Sequence, residues 1–194
     1  MNRLLRCLLD ESTATAGKIV DAMPEAMWRD QPEGRFGPGE QVVHMSQSEL
    51  FALQLILPAG GIGPGFVLQP PFTRIVEIPD LAERHRALSQ LNLEGARRGL
   101  TRFNSLAELQ QWWQRKRDEA VQALEQIPDV ERIWWTEIQH PLVPTLRRPL
   151  IVMTAILFTA HPWYHAGQTA IEMKVRDWAA AVPFPFGEFS AVMV

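Results

Sequence analysis

The spacing of apolar side chains is the feature that most constrains what this chain can fold into. In long segments, leucine, isoleucine, valine and methionine recur broadly every three or four residues, which is the period of an amphipathic helix. Proline and glycine interrupt the pattern where a helix cannot continue. The pattern predicts helices over residues 2–23, 38–57, 80–98, 105–127 and 150–178.

These segments predict an all-α fold. Residues 80–98 carry the weaker pattern, so we expect a bundle of four long helices, with a minor helix inside a long crossover between the second and third of them. Residues 58–79 hold four glycines and five prolines and are expected to be irregular. Residues 129–149 predict an extended connection or a short strand pair. The length suits one domain over residues 1–194.

Charge and cysteine content exclude several classes of protein. The net charge is −3, from 19 basic and 22 acidic residues, so no basic surface for nucleic acid or an anionic membrane is expected. The longest apolar stretch, residues 150–160, is far shorter than the ~20 residues of a membrane span. Cys7 is the single cysteine and cannot form an internal disulfide, which favours the reducing cytoplasm. We expect Cys7 to be a buried, inert thiol.

Without a cysteine pair, a transition-metal site must use histidines and carboxylates. His161 and His165 are four residues apart on the last predicted helix, so their imidazoles share one face. Unlike the HExxH zinc motif, the chain has Pro162 after the first histidine. Proline costs about 3 kcal/mol inside a plain helix. Such exceptions to local rules are enriched at functional sites, although a tolerated kink is the alternative interpretation.

A third ligand must come from another segment. His44 is the best candidate, because it lies inside the second predicted helix beside Val42 and Val43. A hydrogen-bonded core histidine is the alternative interpretation of His44. His85 lies in a charged stretch and His140 in a proline-rich loop, so both are predicted to be on the surface.

Three segments together resemble the DinB/YfiT-like family of bacterial metalloenzymes. They are AHPWYHAGQ (160–168), QVVHMSQSE (41–49) and MWRDQPEGRFGPGE (27–40). The agreement in helix order extends over most of the chain, whereas residues 58–104 and those after 178 are not diagnostic. The chain departs from the family at Ala166, where an arginine or similar polar residue commonly precedes the Gly-Gln pair.

The resemblance implies a four-helix bundle in which His44, His161 and His165 bind a divalent metal, zinc or nickel, with open positions for water or substrate. It also implies a small-molecule substrate, a homodimer, and a low-molecular-weight-thiol S-transferase whose thiol arrives as a cosubstrate. A metal-dependent hydrolase is one alternative. A non-catalytic, stress-related protein in which the ion only ties helices together is another.

Helix spacing also suggests residues that support the ligands. Gln168 and Glu172 follow His165 on the ligand-bearing face of the predicted helix. Metal-bound imidazoles usually donate their other N–H to such a group, although both side chains could instead be solvated. The sequence assigns no residue a catalytic role.

Overall fold

The computed structural model describes residues 1–143 and 145–175. This part of the chain is mostly helical, which confirms the all-α prediction, and its strands form one small antiparallel sheet. In chain order, the elements are α1 (Arg3–Asp21), α2 (Pro38–Ala59), α3 (Phe72–Val76), α4 (Leu81–Leu100), α5 (Leu106–Glu125), α6 (Glu131–Trp134), β1 (Glu137–Gln139), β2 (Arg147–Pro149), α7 (Leu150–Ala155), a π-helical turn (Ile156–Ala160) and α8 (His161–Val175).

Side chains at the first residues define where three of the long helices begin. The Asn2 carboxamide oxygen accepts a hydrogen bond from the N–H of Leu4 at 2.9 Å at the start of α1. Asp80 caps α4 at 2.7 Å and Ser105 caps α5 at 3.2 Å in the same way. Each cap satisfies an N–H that has no partner within its own helix.

The crossover and the last helix differ from the sequence predictions. Helix α4 has 20 residues, as many as α5, so it is not minor. Residues 58–79 are mostly irregular, as predicted, but they also contain α3, which follows two consecutive prolines. Residues 129–149, predicted as an extended connection or a short strand pair, form the paired strands β1 and β2 and the short helix α6, which was not predicted. The last helix is interrupted by the π-helical turn, and its predicted end at residue 178 lies outside the described residues.

Two apolar clusters form the core, and the four helices α1, α2, α5 and α7–α8 contribute to both. The C-terminal half of α1 packs with the N-terminal halves of α2 and α5, and the remaining halves pack together in the second cluster. Helices α1 and α7–α8 therefore run opposite to α2 and α5. Helix α4 joins only the first cluster. Representative members are Ile19, Met45, Ala96, Trp113 and Ala166 in the first cluster, and Leu9, Ile56, Leu124 and Met153 in the second.

A buried polar layer lies between the two clusters and is centred on Arg117 of α5. The Arg117 guanidinium pairs with the Glu49 carboxylate of α2 and donates to Thr13 Oγ1 of α1 at 2.8 Å. It also donates to the carbonyl oxygen of Phe158 in the π-helical turn at 2.7 Å. One side chain thus connects all four helices of the core.

Candidate metal centre

Three histidines from two helices meet at one point. His161 and His165 lie one helical turn apart on α8, and His44 reaches them from α2. The imidazole centroid of His44 is 5.2 Å from that of His161 and 4.8 Å from that of His165. One nitrogen from each ring can be chosen so that all three lie within 4.8 Å of one another. The sequence prediction that these three histidines form one group therefore agrees with the geometry.

The spacing of the nitrogens fits a shared ion. Nε2 of His161 lies 3.1 Å from Nε2 of His165. Two nitrogens bound at about 2.0–2.1 Å to a tetrahedral zinc would lie roughly 3.3 Å apart. The two nitrogens on α8 are thus at the separation of two ligands of one ion, and together with His44 they could hold a metal.

The π-helical turn explains how Pro162 is accommodated beside the ligands. Pro162 has no N–H to donate to the carbonyl oxygen of Phe158, four residues earlier. Arg117 supplies the missing donor at 2.7 Å, and the Ser12 hydroxyl lies 3.4 Å from the same oxygen. A π turn inside a helix often marks a functional site. Arg117 thus replaces the backbone donor that Pro162 lacks, at the start of the helix that carries His161 and His165.

Burial keeps the three imidazoles neutral near pH 7. It lowers the pKa of His44 to about 2, of His165 to about 3 and of His161 to about 4. Neighbouring histidines lower the pKa values of His44 and His165 further. A neutral imidazole has a free lone pair for a metal ion, so this environment prepares the three side chains as ligands.

Side chains from two other positions restrain the His44 ring. Phe36, in the loop before α2, stacks on it with the ring centroids 4.6 Å apart and the planes 21° apart. The Ser48 hydroxyl, one turn further along α2, lies 3.4 Å from Nδ1 of His44. Nδ1 of His161 and Nδ1 of His165 are also buried, and neither has a hydrogen-bond partner among the described residues. A polar atom left without a partner is unusual and is consistent with a site built for a further ligand.

The two predicted supporting residues have different surroundings. Gln168 lies near enough to His165 to raise the pKa of that histidine, by less than burial lowers it. Gln168 also donates to the hydroxyl oxygen of Tyr164 at 2.8 Å. Glu172 forms an ion pair with Arg35, from the loop before α2. Gln168 therefore adjoins the ligands, and Glu172 ties the loop that carries Phe36 to α8.

A second ion pair anchors the first turn of α2. The fully buried Glu40 carboxylate accepts from the N–H of Gly37 at 2.7 Å and pairs with Arg97 of α4 at 2.9 Å. Arg97 also donates to the carbonyl oxygen of Pro32 at 2.9 Å. These contacts hold the loop and the start of α2 in place, one turn before His44.

A pocket of about 640 Å³ opens beside the histidines. His44 and His161 form part of its wall, and α2, α3, α4 and the loop between β1 and β2 contribute the rest. This volume is typical of sites that bind small molecules. A ligand in the pocket would therefore reach an ion held by the three histidines.

The remaining histidines and the cysteine show where sequence reasoning succeeded and failed. His85 is exposed, as predicted. The prediction that His140 is on the surface is wrong: it is 9 % exposed and lines the pocket, with Nδ1 accepting from the N–H of Leu142 at 3.3 Å. The prediction that Cys7 is buried is also wrong, because the apolar face of α1 turns away from it and leaves it exposed.

Several residues important to the site were not identified from the sequence. Arg117 and His140 are distant from the motif in the chain and reach the site only through folding, whereas Phe36 lies in the segment just before the helix of His44. A signal existed for Phe36, which lies between two glycines immediately before the helix of His44. Arg117 carried none, since it stands among charged neighbours on a helix and looks like part of a solvated face.

The donor set limits what the site can do. Among the residues in 1–143 and 145–175, the group contains three histidines and no carboxylate or thiolate. Structural zinc sites are normally closed by four protein ligands, whereas catalytic sites keep three and leave a position for water or substrate. The arrangement is therefore of the open type.

Compared with known protein families, curated proteins and solved structures, the chain has no match.

Proposed function

We propose that this protein is a divalent-metal-dependent enzyme with a DinB-like four-helix bundle, and that it transfers a low-molecular-weight thiol to a small-molecule electrophile. One observation carries the proposal. Three neutral imidazoles converge from α2 and α8 at the wall of a pocket large enough for a small molecule. Zinc or nickel is the proposed ion, because imidazole nitrogen is a preferred donor for both.

The open donor set supports an enzyme over a protein in which the ion only ties helices together. A purely structural ion would be expected to have a fourth protein ligand, and the described residues place none in the group. The pocket reaches two of the three ligands, His44 and His161. A substrate therefore has access to the position that the protein leaves free.

The protein's own residues hold and orient the site. When bound, a divalent ion would lower the pKa of a coordinated thiol or water, so that a thiolate or hydroxide is available at neutral pH. The three neutral histidines leave the charge of such an ion uncompensated, which strengthens this effect. Phe36 and Ser48 orient the His44 ring, and apolar side chains line the pocket beside it.

The source of the thiol is a consequence of the fold. The only cysteine, Cys7, is exposed on α1 and does not line the pocket. A thiol at the site must therefore arrive as a cosubstrate. A metal-dependent hydrolase is the second candidate, because the same free position would accept a water molecule.

Metal analysis of purified variants tests the site. His161→Ala should lose most of its bound zinc or nickel by elemental analysis, because it removes one of three ligands. His85→Ala is the matched control, since His85 is exposed and lies on α4, and it should retain about one ion per chain. A full complement of metal in His161→Ala would show that the site is assigned wrongly.

The reaction type requires a separate assay. We would supply a low-molecular-weight thiol and an aryl chloride electrophile, and follow release of chloride with and without a chelator. Thiol-dependent turnover that stops on chelation and returns with added zinc or nickel would support the transferase. Chelator-sensitive hydrolysis of an activated ester without any thiol would support the hydrolase instead.

We also propose that the chain acts in the cytoplasm as a homodimer, and that it binds neither nucleic acid nor membranes. Among the described helices, none is both long and apolar enough to cross a bilayer. Tyr164 and Ile171 expose apolar surface on α8, which supports a partner there. Size-exclusion chromatography with light scattering would test the dimer, and a monomeric mass would contradict it.

A further inference from the structure

The 640 Å³ pocket is lined by one charged side chain of the described residues, Arg98 of α4. Within residues 1–143 and 145–175, no aspartate or glutamate lines it. The nearest counter-charge to Arg98 is Glu94, one turn earlier on α4, at 3.9 Å with both side chains largely exposed. Such a pair is weak and readily exchanged for another anion.

The lining of the pocket is mostly apolar. Helix α4 contributes two leucines, Asn92, Gly95 and Arg98, and the Gln47 side chain of α2 donates to the carbonyl oxygen of Gly95 at 3.2 Å. The Phe51 ring of α2 packs against Phe72 of α3 with the centroids 5.3 Å apart. The apolar lining side chains include Leu50, Phe51, Phe72, Leu88, Leu91 and Leu142.

The histidines in the lining also favour a negatively charged ligand. A coordinating imidazole is uncharged, so an ion held by His44 and His161 would keep its positive charge. His140, also in the lining, is neutral near pH 7 because burial lowers its pKa to about 4. The lining thus combines the metal position, the cationic Arg98 and apolar side chains.

We infer that the pocket binds an amphipathic anion: a small molecule with a reactive group at His44 and His161, an apolar chain or ring along the wall, and a carboxylate or similar anionic group at Arg98. This inference rests on the proposed function, because it places the reactive group at the metal centre. It adds the chemical class of the ligand, which the metal centre alone does not specify.

Paired thiol probes on cobalt-loaded protein test this inference. Mercaptohexanoate and mercaptohexanol have the same apolar chain and thiol, and they differ in the carboxylate. Each is titrated while the thiolate-to-cobalt absorption band is measured, and the longer mercaptoundecanoate and mercaptoundecanol repeat the comparison. We expect at least one carboxylate to bind about threefold to fivefold more tightly than its alcohol, as for an exposed ion pair, with the ratio falling at high salt.

Two substitutions on α4 assign the effect to one residue. Arg98→Gln should bring the ratio of the two affinities close to one, and Arg98→Lys should retain most of it. Arg86→Gln is the matched control: Arg86 is exposed on the same helix and lines a different pocket, so the ratio should stay unchanged.

The possible failures are distinguishable. Protein that does not bind cobalt would contradict the proposed metal site itself. Protein that binds cobalt but neither thiol, or that binds carboxylate and alcohol equally at both lengths, would overturn the inference and leave the metal site standing. A preference for the carboxylate that survives Arg98→Gln would also overturn it.

Discussion

Replacing Arg117 with methionine tests how the core holds the ligand-bearing helices. The Arg117 side chain is 1 % exposed and connects α5 with α2 through Glu49 and with the π-helical turn through Phe158. Methionine is apolar and of comparable length, so it would fill much of the space without supplying any donor. We expect both the stability of the protein and its affinity for metal to fall.

The magnitude follows from the groups left behind. The variant leaves the Glu49 carboxyl buried without its cation, and removal of one partner from a buried pair costs about 3–5 kcal/mol. Burial already raises the pKa of Glu49 to about 7 although Arg117 opposes it, so the carboxyl would take up a proton and reduce that cost. The Phe158 oxygen would lose its donor at 2.7 Å and retain the more distant Ser12 hydroxyl at 3.4 Å. We therefore expect a loss of about 3 kcal/mol, at the lower end of that range.

Urea denaturation of the metal-free protein, followed by circular dichroism, measures this loss. Adding Glu49→Leu to Arg117→Met should restore part of the stability, because the double variant has no unpaired carboxyl. Cobalt affinity should stay low in both, since the Phe158 carbonyl precedes His161 by three residues and lacks its donor in each. Arg117→Lys provides an intermediate if the methionine variant does not fold. A loss below about 0.5 kcal/mol, the range of ordinary surface substitutions, would refute the reasoning.

Three further predictions concern His140, Glu49 and Phe36. Burial lowers the pKa of His140 from its ordinary value of 6.5 to about 4, so its contribution to the free energy of unfolding is lost as pH falls below 6.5. By about pH 5 this loss is about 2 kcal/mol. In urea titrations, the free energy of unfolding of His140→Gln should therefore decline less steeply with falling pH than that of the unmodified protein. For Glu49 the pH dependence of stability has the opposite sign, because its pKa is raised from 4.5 to about 7 and the stability it contributes is lost as pH rises between these values. Glu49→Gln should remove this part of the dependence of unfolding free energy on pH. An unchanged dependence on pH would contradict the raised pKa. Phe36→Ala should weaken cobalt binding by about threefold to tenfold, because it frees the His44 ring. Phe36→Leu should have a smaller effect. Equal cobalt affinity in the unmodified protein and both variants would exclude a role for the stacking.

The sequence by itself was enough for the features that depend on neighbours in the chain. The helical period and the four-residue spacing of His161 and His165 are both properties of residues close together in the chain. These signals predicted the all-α class and two of the three histidines of the metal site. His44 was selected from its place in an apolar helix and from a family resemblance, which are weaker grounds than a spacing rule.

Only the tertiary structure decided the features that depend on distant segments. Arg117 lies among charged neighbours in the sequence, and folding buries it because Glu49 and the Phe158 carbonyl, both remote in the chain, need its charge and its donors. His140 follows a short strand and precedes a proline, as a surface residue often does, but α2 covers it. Burial and pairing depend on what other segments bring to a residue, and local periodicity carries no information about that. The pocket belongs to the same class, since it exists only where segments such as α2, α3 and α4 meet.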